Sequence, residues 1–269
     1  MQEGEFKVKI SDSPYRAGAL EGAIEALERE LKKGNALIRF TISVSYGKRF
    51  KMKIINLAEG RTTYTSNAYL ITGDYNKPDD INALIDTGRD PIIIENLLKA
   101  PKGIGKRRVE RVVITHCHYD HKELLPRIKE MFNPTVYAYS TECECDRILK
   151  NGDTIRLADS TFKVLYIGGH TEDSIGLYCE KEGVFFSGDA PMKITSSSNE
   201  YVDEEYFLNT LFYLACNRLD TIYPGHGTPI SNQHQSWVID SLLWVKRGQA
   251  LKEMELERKK SEEYQNVRW

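Results

Sequence analysis

No apolar run in this chain approaches the length needed to cross a bilayer. Its first residues, Met1-Gln2-Glu3-Gly4-Glu5, lack the basic and apolar regions of a secretory signal. Together these absences lead us to expect a cytoplasmic protein with no membrane attachment. Cysteine is scarce, with five among 269 residues. The odd number does not make a disulfide framework, and a reducing compartment is expected. Net charge is small at −2, so nothing draws the chain as a whole to nucleic acid. Internal repeats and low-complexity tracts are also missing. What remains is ordinary for a globular chain able to bury a sizeable core: 41% hydrophobic and 28% charged residues.

Residues 6–10 alternate apolar and charged, as a half-buried strand does. Ser13-Pro14 reads as a helix start, Leu20, Ile24, Leu27 and Leu31 mark one face of a helix over 15–33, and Gly34-Asn35 is its stop. A second strand covers 36–45. This strand–helix–strand holds no catalytic cluster. We expect residues 1–50 to form an appendage that packs on the main domain or mediates homo-oligomer formation. The main domain is expected over 51–235, and a charged helix (about 235 to 260) with a tail over 236–269. Within the main domain, strands are expected at 52–57, 67–72, 83–88, 112–114, 136–139, 154–157, 162–166, 175–179, 184–187 and 219–223. Helices are expected at 91–100, 123–131 and 203–217, with Pro126 tolerated in a first turn. The basic stretch Lys102–Arg111 reads as a solvated loop in preference to a phosphate cradle. Cys143-Glu144-Cys145, with no second pair, reads as isolated thiols and not as a thiolate metal site.

The chemistry concentrates in Thr115-His116-Cys117-His118-Tyr119-Asp120-His121, directly after the apolar run Val112-Val113-Ile114. A strand end holds the backbone still while the following loop aims successive side chains. His116 and His118 share one side of an extended chain, whereas Asp120 and His121 begin the next turn and face a second point. That spacing points to two adjacent metals, and imidazole with carboxylate suits zinc, iron or manganese better than calcium or magnesium. Three further strand ends deliver the same residue types: Gly169-His170-Thr171, Gly188-Asp189 and Gly225-His226-Gly227. Five of the six histidines fall in this pattern. The sixth, His234, lies outside it at the start of the last helix and reads as a surface residue.

These motifs, with the Leu84–Gly88 strand upstream, resemble the metallo-β-lactamase-fold superfamily, in particular its glyoxalase-II-like branch. The resemblance runs from about Met52 to about Ile230. It implies an α/β fold, an αββα sandwich of two mixed β-sheets flanked by helices, with the strand–helix–strand appended at the N-terminus. It also implies a ligand set: His116, His118 and His170 for one metal, Asp120, His121 and His226 for the other, and Asp189 bridging. Two divalent metal ions, zinc foremost with iron or manganese as substitutes, would lower the pKa of a shared water so that a bridging hydroxide exists near neutral pH. The expected activity is hydrolysis of a small-molecule thioester, ester or lactone, with Asp120 orienting the hydroxide. Leaving-group protonation is assigned to metal-bound water, or to Tyr201 or Tyr206. Substrate recognition is expected in residues 190–207, through Met192 and Tyr201.

Two departures from the family pattern stand out. Lys122-Glu123 replace glycines after the cluster, and Gly168 replaces the usual proline before Gly-His-Thr. No helical domain of the size that binds glutathione is visible, so hydroxyacylglutathione is one candidate substrate among several. The alternatives are a mononuclear-iron persulfide dioxygenase and a metal-dependent nuclease. The nuclease is disfavoured by the net charge and by the short span from Asp189 to His226. Electron-transfer diiron relatives usually carry an acid where His118 stands and add a flavin domain; both are absent.

Overall fold

Period-two burial organises the main domain into layers. In the computed structural model, residues 4–9, 16–32, 38–43, 52–73, 80–103, 105–192, 203–231 and 234–266 are described. At the N-terminus β1 (Gly4–Lys9) and β2 (Ile38–Ser43) pair in parallel around α1 (Arg16–Lys32). The expected helix signals Ser13-Pro14 and Gly34-Asn35 lie outside the described residues. A six-stranded sheet follows from β3 (Lys53–Asn56), β4 (Tyr69–Thr72), β5 (Ala83–Ile85), β6 (Arg111–Val113), β7 (Thr135–Ala138) and β8 (Arg147–Ile148), in that order. Its first three strands are antiparallel and the rest parallel. The second sheet has five strands in the order β13-β12-β11-β10-β9: β9 (Thr154–Leu157), β10 (Ser160–Tyr166), β11 (Ile175–Cys179), β12 (Val184–Gly188) and β13 (Thr221–Pro224). Only its β12–β13 pair is parallel.

The sheets face each other. Ile71, Ile85 and Val113 of the first meet Phe162, Leu177 and Phe186 of the second in one buried cluster. Their neighbours in sequence point the other way, as alternating strand side chains must. Leu70, Leu84 and Val112 pack against Ile93 and Leu97 of α2 (Ile92–Lys99) and Leu125 and Ile128 of α4 (Leu125–Phe132). On the far side Leu165, Phe185 and Ile222 meet Phe207 and Leu211 of α5 (Glu204–Cys216) and Val238 and Leu242 of α6 (His234–Asn266). The result is the expected helix–sheet–sheet–helix sandwich. Leu20 and Leu27 of α1 join this outer cluster, so the N-terminal helix shares a hydrophobic layer with α5 and α6. No helix among the described residues is long and apolar enough to cross a membrane.

Several local expectations change. One turn of helix, α3 (Tyr119–Lys122), occupies what reads as loop after His118. The basic stretch lies largely at the surface, with two of its arginines bound to helix ends. Arg107 donates to the carbonyls of Phe132 and Asn133 at the end of α4, and Arg108 donates to those of Leu97 and Ala100 at the end of α2. Cations at helix C-termini satisfy orphan carbonyls and complement the helix dipole. The expectation of isolated thiols is corrected as well: Cys143, at the end of a 3-10 turn (Thr141–Cys143), forms a disulfide with Cys117, while Cys145, Cys179 and Cys216 form none. The two partners stand 26 residues apart and are brought together by the packing of β6 beside β7.

Candidate metal centre

The strand ends of both sheets meet at one edge. His116 and His118 follow β6, Asp120 and His121 sit on α3, His170 follows β10, Asp189 follows β12 and His226 follows β13. The structure brings all seven together. His116 Nε2 and His170 Nε2 each lie 3.0 Å from His118 Nδ1, so three imidazole nitrogens converge on one point. Beside them His226 Nε2 stands 3.1 Å from Asp120 Oδ2 and 3.4 Å from Asp189 Oδ2, and His121 Nε2 stands 3.2 Å from Asp189 Oδ1. Asp189 Oδ2 is also 3.6 Å from His170 Nε2. Asp189 therefore lies between the two groups.

Buried polar side chains at the sheet ends fix this geometry. Asp86, at the end of β5, takes a left-handed conformation (φ 56°). Its Oδ1 accepts the Thr115 N–H at 2.8 Å, while Oδ2 accepts the Thr115 hydroxyl at 2.9 Å and faces His121 Nδ1 at 2.8 Å. His121 is thereby oriented with Nε2 toward the centre. His116 Nδ1 is engaged by the Thr115 hydroxyl at 3.2 Å, which likewise leaves its Nε2 for the site. Asn67 donates through Nδ2 to the carbonyls of Pro224 and Gly227, anchoring the loop that carries His226. Asp173 accepts the Cys117 N–H at 2.8 Å, tying the His170 loop to the His116–His118 loop. Gly225 leaves the space this convergence needs, since a Cβ there would lie 2.1 Å from Asp189 Oδ1 and 2.7 Å from His121 Cε1.

The two departures from the family pattern have structural reasons. Gly168 has φ +66°, which proline cannot adopt, and a Cβ would meet the Asp203 carbonyl at 2.5 Å. Lys122 donates to the Glu142 carbonyl at 2.8 Å and Glu123 pairs with Arg89 at 2.8 Å, so both side chains are held at the rim.

Electrostatics divides the imidazoles. Burial, followed by the nearby His121 charge, holds His116 well below the usual histidine range, and burial also lowers His170. Those rings are neutral, as ligands must be. His121 behaves oppositely: burial opposes its charge, but the Asp86 carboxylate and contacts with Asp189 outweigh it and raise it to about 10. His226 is raised chiefly by Asp189. Burial pushes the Asp189 carboxyl up, yet His121 and His226 prevail and hold it far below the carboxylate range. Left to the protein groups alone, the proton on His121 faces the Asp86 and Asp189 carboxylates at the position a cation would take.

Whether a metal fits can be judged from unpaired atoms. Asp120 Oδ2, His121 Nε2 and Asp189 Oδ1 are buried and make no well-aligned hydrogen bond; their near neighbours are other candidate ligand atoms, His226 Nε2 at 3.1 Å from Asp120 Oδ2 and the His121–Asp189 pair at 3.2 Å. Buried polar atoms are rarely left so. All three face the centre, and all three are good ligands for a divalent cation with mixed nitrogen and oxygen preference. Ligand atoms of His116, His118 and His170, and separately of Asp120, His121 and His226, lie within 4.8 Å of one another.

Of the remaining expected residues, Met192 is buried in the hydrophobic cluster with α5 and α6 and not among the ligand side chains. Tyr201 lies outside the described residues. Tyr206 packs edge-on against Tyr166, 5.1 Å between centroids. Sequence reasoning missed Asp86, Asp173 and Tyr64. Tyr64 is exposed and stacks on His226 at 5.2 Å between ring centroids. The only signal for Asp86 was its place at a strand end before Thr87-Gly88; Asp173 and Tyr64 had none beyond proximity to motif residues.

Fold and site together have the architecture of the metallo-β-lactamase fold. The family model described as "Metallo-beta-lactamase superfamily" matches residues 61–144. Among curated proteins, the chain is 26% identical over 157 residues to an atrochrysone carboxyl ACP thioesterase of Aspergillus fumigatus, covering 56% of this chain and 49% of the relative. It is 32% identical over 109 residues to a hydroxyacylglutathione hydrolase of Francisella tularensis, covering 39% and 41% respectively. The chain thus spans about half the length of the curated relatives it matches. Among solved structures, the BLEG-1 B3 metallo-beta-lactamase aligns with TM-score 0.52 at 20% identity, covering 70% of this chain and 96% of that one. ETHE1 from Myxococcus xanthus aligns with TM-score 0.53 at 19% identity, covering 73% and 90%. These two establish likeness of fold.

Proposed function

We propose that this chain is a dinuclear metal-dependent hydrolase, with zinc as its metal, acting on a small-molecule thioester, ester or lactone. The observation that carries this is the placement of Asp189 between a three-histidine group and an Asp-His-His group, with buried unpaired ligand atoms facing the centre. The names of the curated relatives, a thioesterase and a hydroxyacylglutathione hydrolase, support the choice of substrate class.

Bound at these residues, divalent cations would supply Lewis acidity, polarising a substrate carbonyl and making water a nucleophile near neutral pH. The chain's own groups supply positioning. His116, His118 and His170 are the neutral donors of one group. Asp120, His121 and His226 form the other, and His121 is aimed by Asp86. Asp120 Oδ2 is the carboxylate oxygen placed to orient an attacking water and hold its proton. His121, raised to about 10, must release its proton when a cation takes its place, so metal uptake is linked to pH. The N-terminal unit is proposed as a packing element for α6, with self-association as its second role.

The test is metal analysis of protein purified without added metal, followed by a panel of thioesters, lactones, β-lactams and phosphodiesters. About two metals per chain and turnover of a thioester or lactone are expected. His226→Ala should lose one metal and most of the rate. Iron alone, with oxygen consumption and normal turnover in His226→Ala, would overturn the proposal in favour of the mononuclear-iron persulfide dioxygenase. Cleavage of phosphodiesters alone would favour the nuclease.

A further inference from the structure

Cys117 lies between His116 and His118 in the chain, and its two anchors both reach across to other elements. Its Sγ is bonded to Cys143, on the turn after β7. Its N–H is held at 2.8 Å by Asp173, on the loop that also carries His170. Cys143 Sγ lies 3.6 Å from the same Asp173 oxygen. A single carboxylate thus meets both halves of the disulfide and joins them to the loops bearing all three members of the three-histidine group. Cys143 is fully buried, whereas Cys117 is partly exposed at the metal edge.

We propose that the Cys117–Cys143 pair is a thiol–disulfide exchange site that sets the metal affinity of the three-histidine group. The inference rests on the metal-centre reading above. In the oxidised state the disulfide pins the backbone between His116 and His118, holding their nitrogens in the convergent arrangement. Reduction by a dithiol begins with attack of one external thiolate on the sulfur of Cys117, the less buried of the two partners. The Cys117–Cys143 bond breaks, Cys143 leaves as a thiolate that takes a proton, and a mixed disulfide forms on Cys117. The second external thiol attacks that mixed disulfide, its proton passing to Cys117. The net change is two electrons and two protons: the protein disulfide becomes two thiols and the dithiol becomes a cyclic disulfide. Freed of its tether, the loop keeps the Asp173 contact alone and the two imidazoles lose part of their preorganisation. Partners that orient metal ligands from behind commonly govern affinity by about 10–100-fold.

The experiment uses the full chain, with thiols counted under denaturing conditions and zinc affinity measured by competition with a chromophoric chelator. Oxidised protein should show the three free cysteines, and protein reduced with a phosphine that is then removed should show all five. Zinc affinity at the three-histidine group should fall about tenfold or more on reduction and return on reoxidation. Cys143→Ala should bind like the reduced protein and ignore the reductant. Equal affinity in both states, to within about twofold, would overturn the proposal, as would five free thiols in protein kept under oxidising conditions. If the oxidised protein binds no zinc at all, the metal-centre reading itself fails, and the thiol count distinguishes that outcome.

Discussion

Asp86→Asn probes how far the centre depends on a residue standing behind its ligands. The carboxylate is buried and makes three contacts: Thr115 N–H at 2.8 Å, the Thr115 hydroxyl at 2.9 Å and His121 Nδ1 at 2.8 Å. Asparagine keeps the shape and the first contact. Its NH2 group, however, meets His121 Nδ1 donor to donor, so the amide or the ring must turn. Losing one charge-assisted hydrogen bond to a buried imidazolium costs about 1.5–3 kcal/mol of stability. Metal affinity should fall about 10–100-fold, since His121 loses both its orientation and part of its basicity. The pH dependence has a defined sign. His121 is raised from 6.5 to about 10 in the folded chain. Its contribution to the metal-free protein is therefore fully present below pH 6.5 and lost as pH rises toward 10. Urea denaturation of chelator-treated protein at several pH values across that window should show wild type losing stability steeply and Asp86→Asn only weakly. Parallel curves, together with zinc affinity changed by less than about twofold, would refute the role assigned to Asp86.

Three other substitutions or treatments have defined outcomes. Asp90 Oδ2 accepts the Thr62 and Thr63 N–H groups at 2.8 and 2.7 Å, and hydrogen bonds, led by that from the Ile92 N–H, hold its carboxyl below the ordinary 3.8. Asp90→Asn should be less stable than wild type at neutral pH, with the gap closing as pH falls below 3.8; an acid titration of thermal unfolding decides it. With its partners separated by 26 positions in sequence, the disulfide should stabilise the metal-free fold by about 3.5 kcal/mol on the chain-entropy relation, read as the shift in denaturant midpoint on reduction. Gly168→Ala forces a side chain into φ +66° against the Asp203 carbonyl and should cost more than about 2 kcal/mol. An unchanged melting temperature would mean that the 168–170 turn relaxes freely.

The centre was legible in the sequence because metal chemistry tolerates few residue types and the strand ends are marked by apolar runs and glycines. His116, His118, Asp120, His121, His170, Asp189 and His226 could each be placed at a strand end without knowing which strands pair. The sandwich was legible through family resemblance; alternation alone gives strands and not their order. What escaped depends on partners distant in the chain. Arg107 and Arg108 look like any basic loop until α2 and α4 end beside them. Cys117 and Cys143 look like single thiols until parallel pairing of β6 with β7 brings their loops together. α3 is one turn long, too short for helical periodicity to register, and β8 spans only Arg147–Ile148.

The same long-range contacts explain why the site can be found from its unpaired atoms. Asn67, Asp86 and Asp173 are short polar side chains that each join two separate loops at the metal edge. Burying such groups is tolerable only when their hydrogen bonds are made, because an unmade one leaves a desolvation penalty of about 1–3 kcal/mol. Around the centre that condition is met: the Thr115 N–H, both Asp86 oxygens and the Asn67 amide all have partners. Asp120 Oδ2, His121 Nε2 and Asp189 Oδ1 do not, and they lie innermost. A polar network complete at its periphery and open at its centre is the pattern expected when the missing partner is an ion.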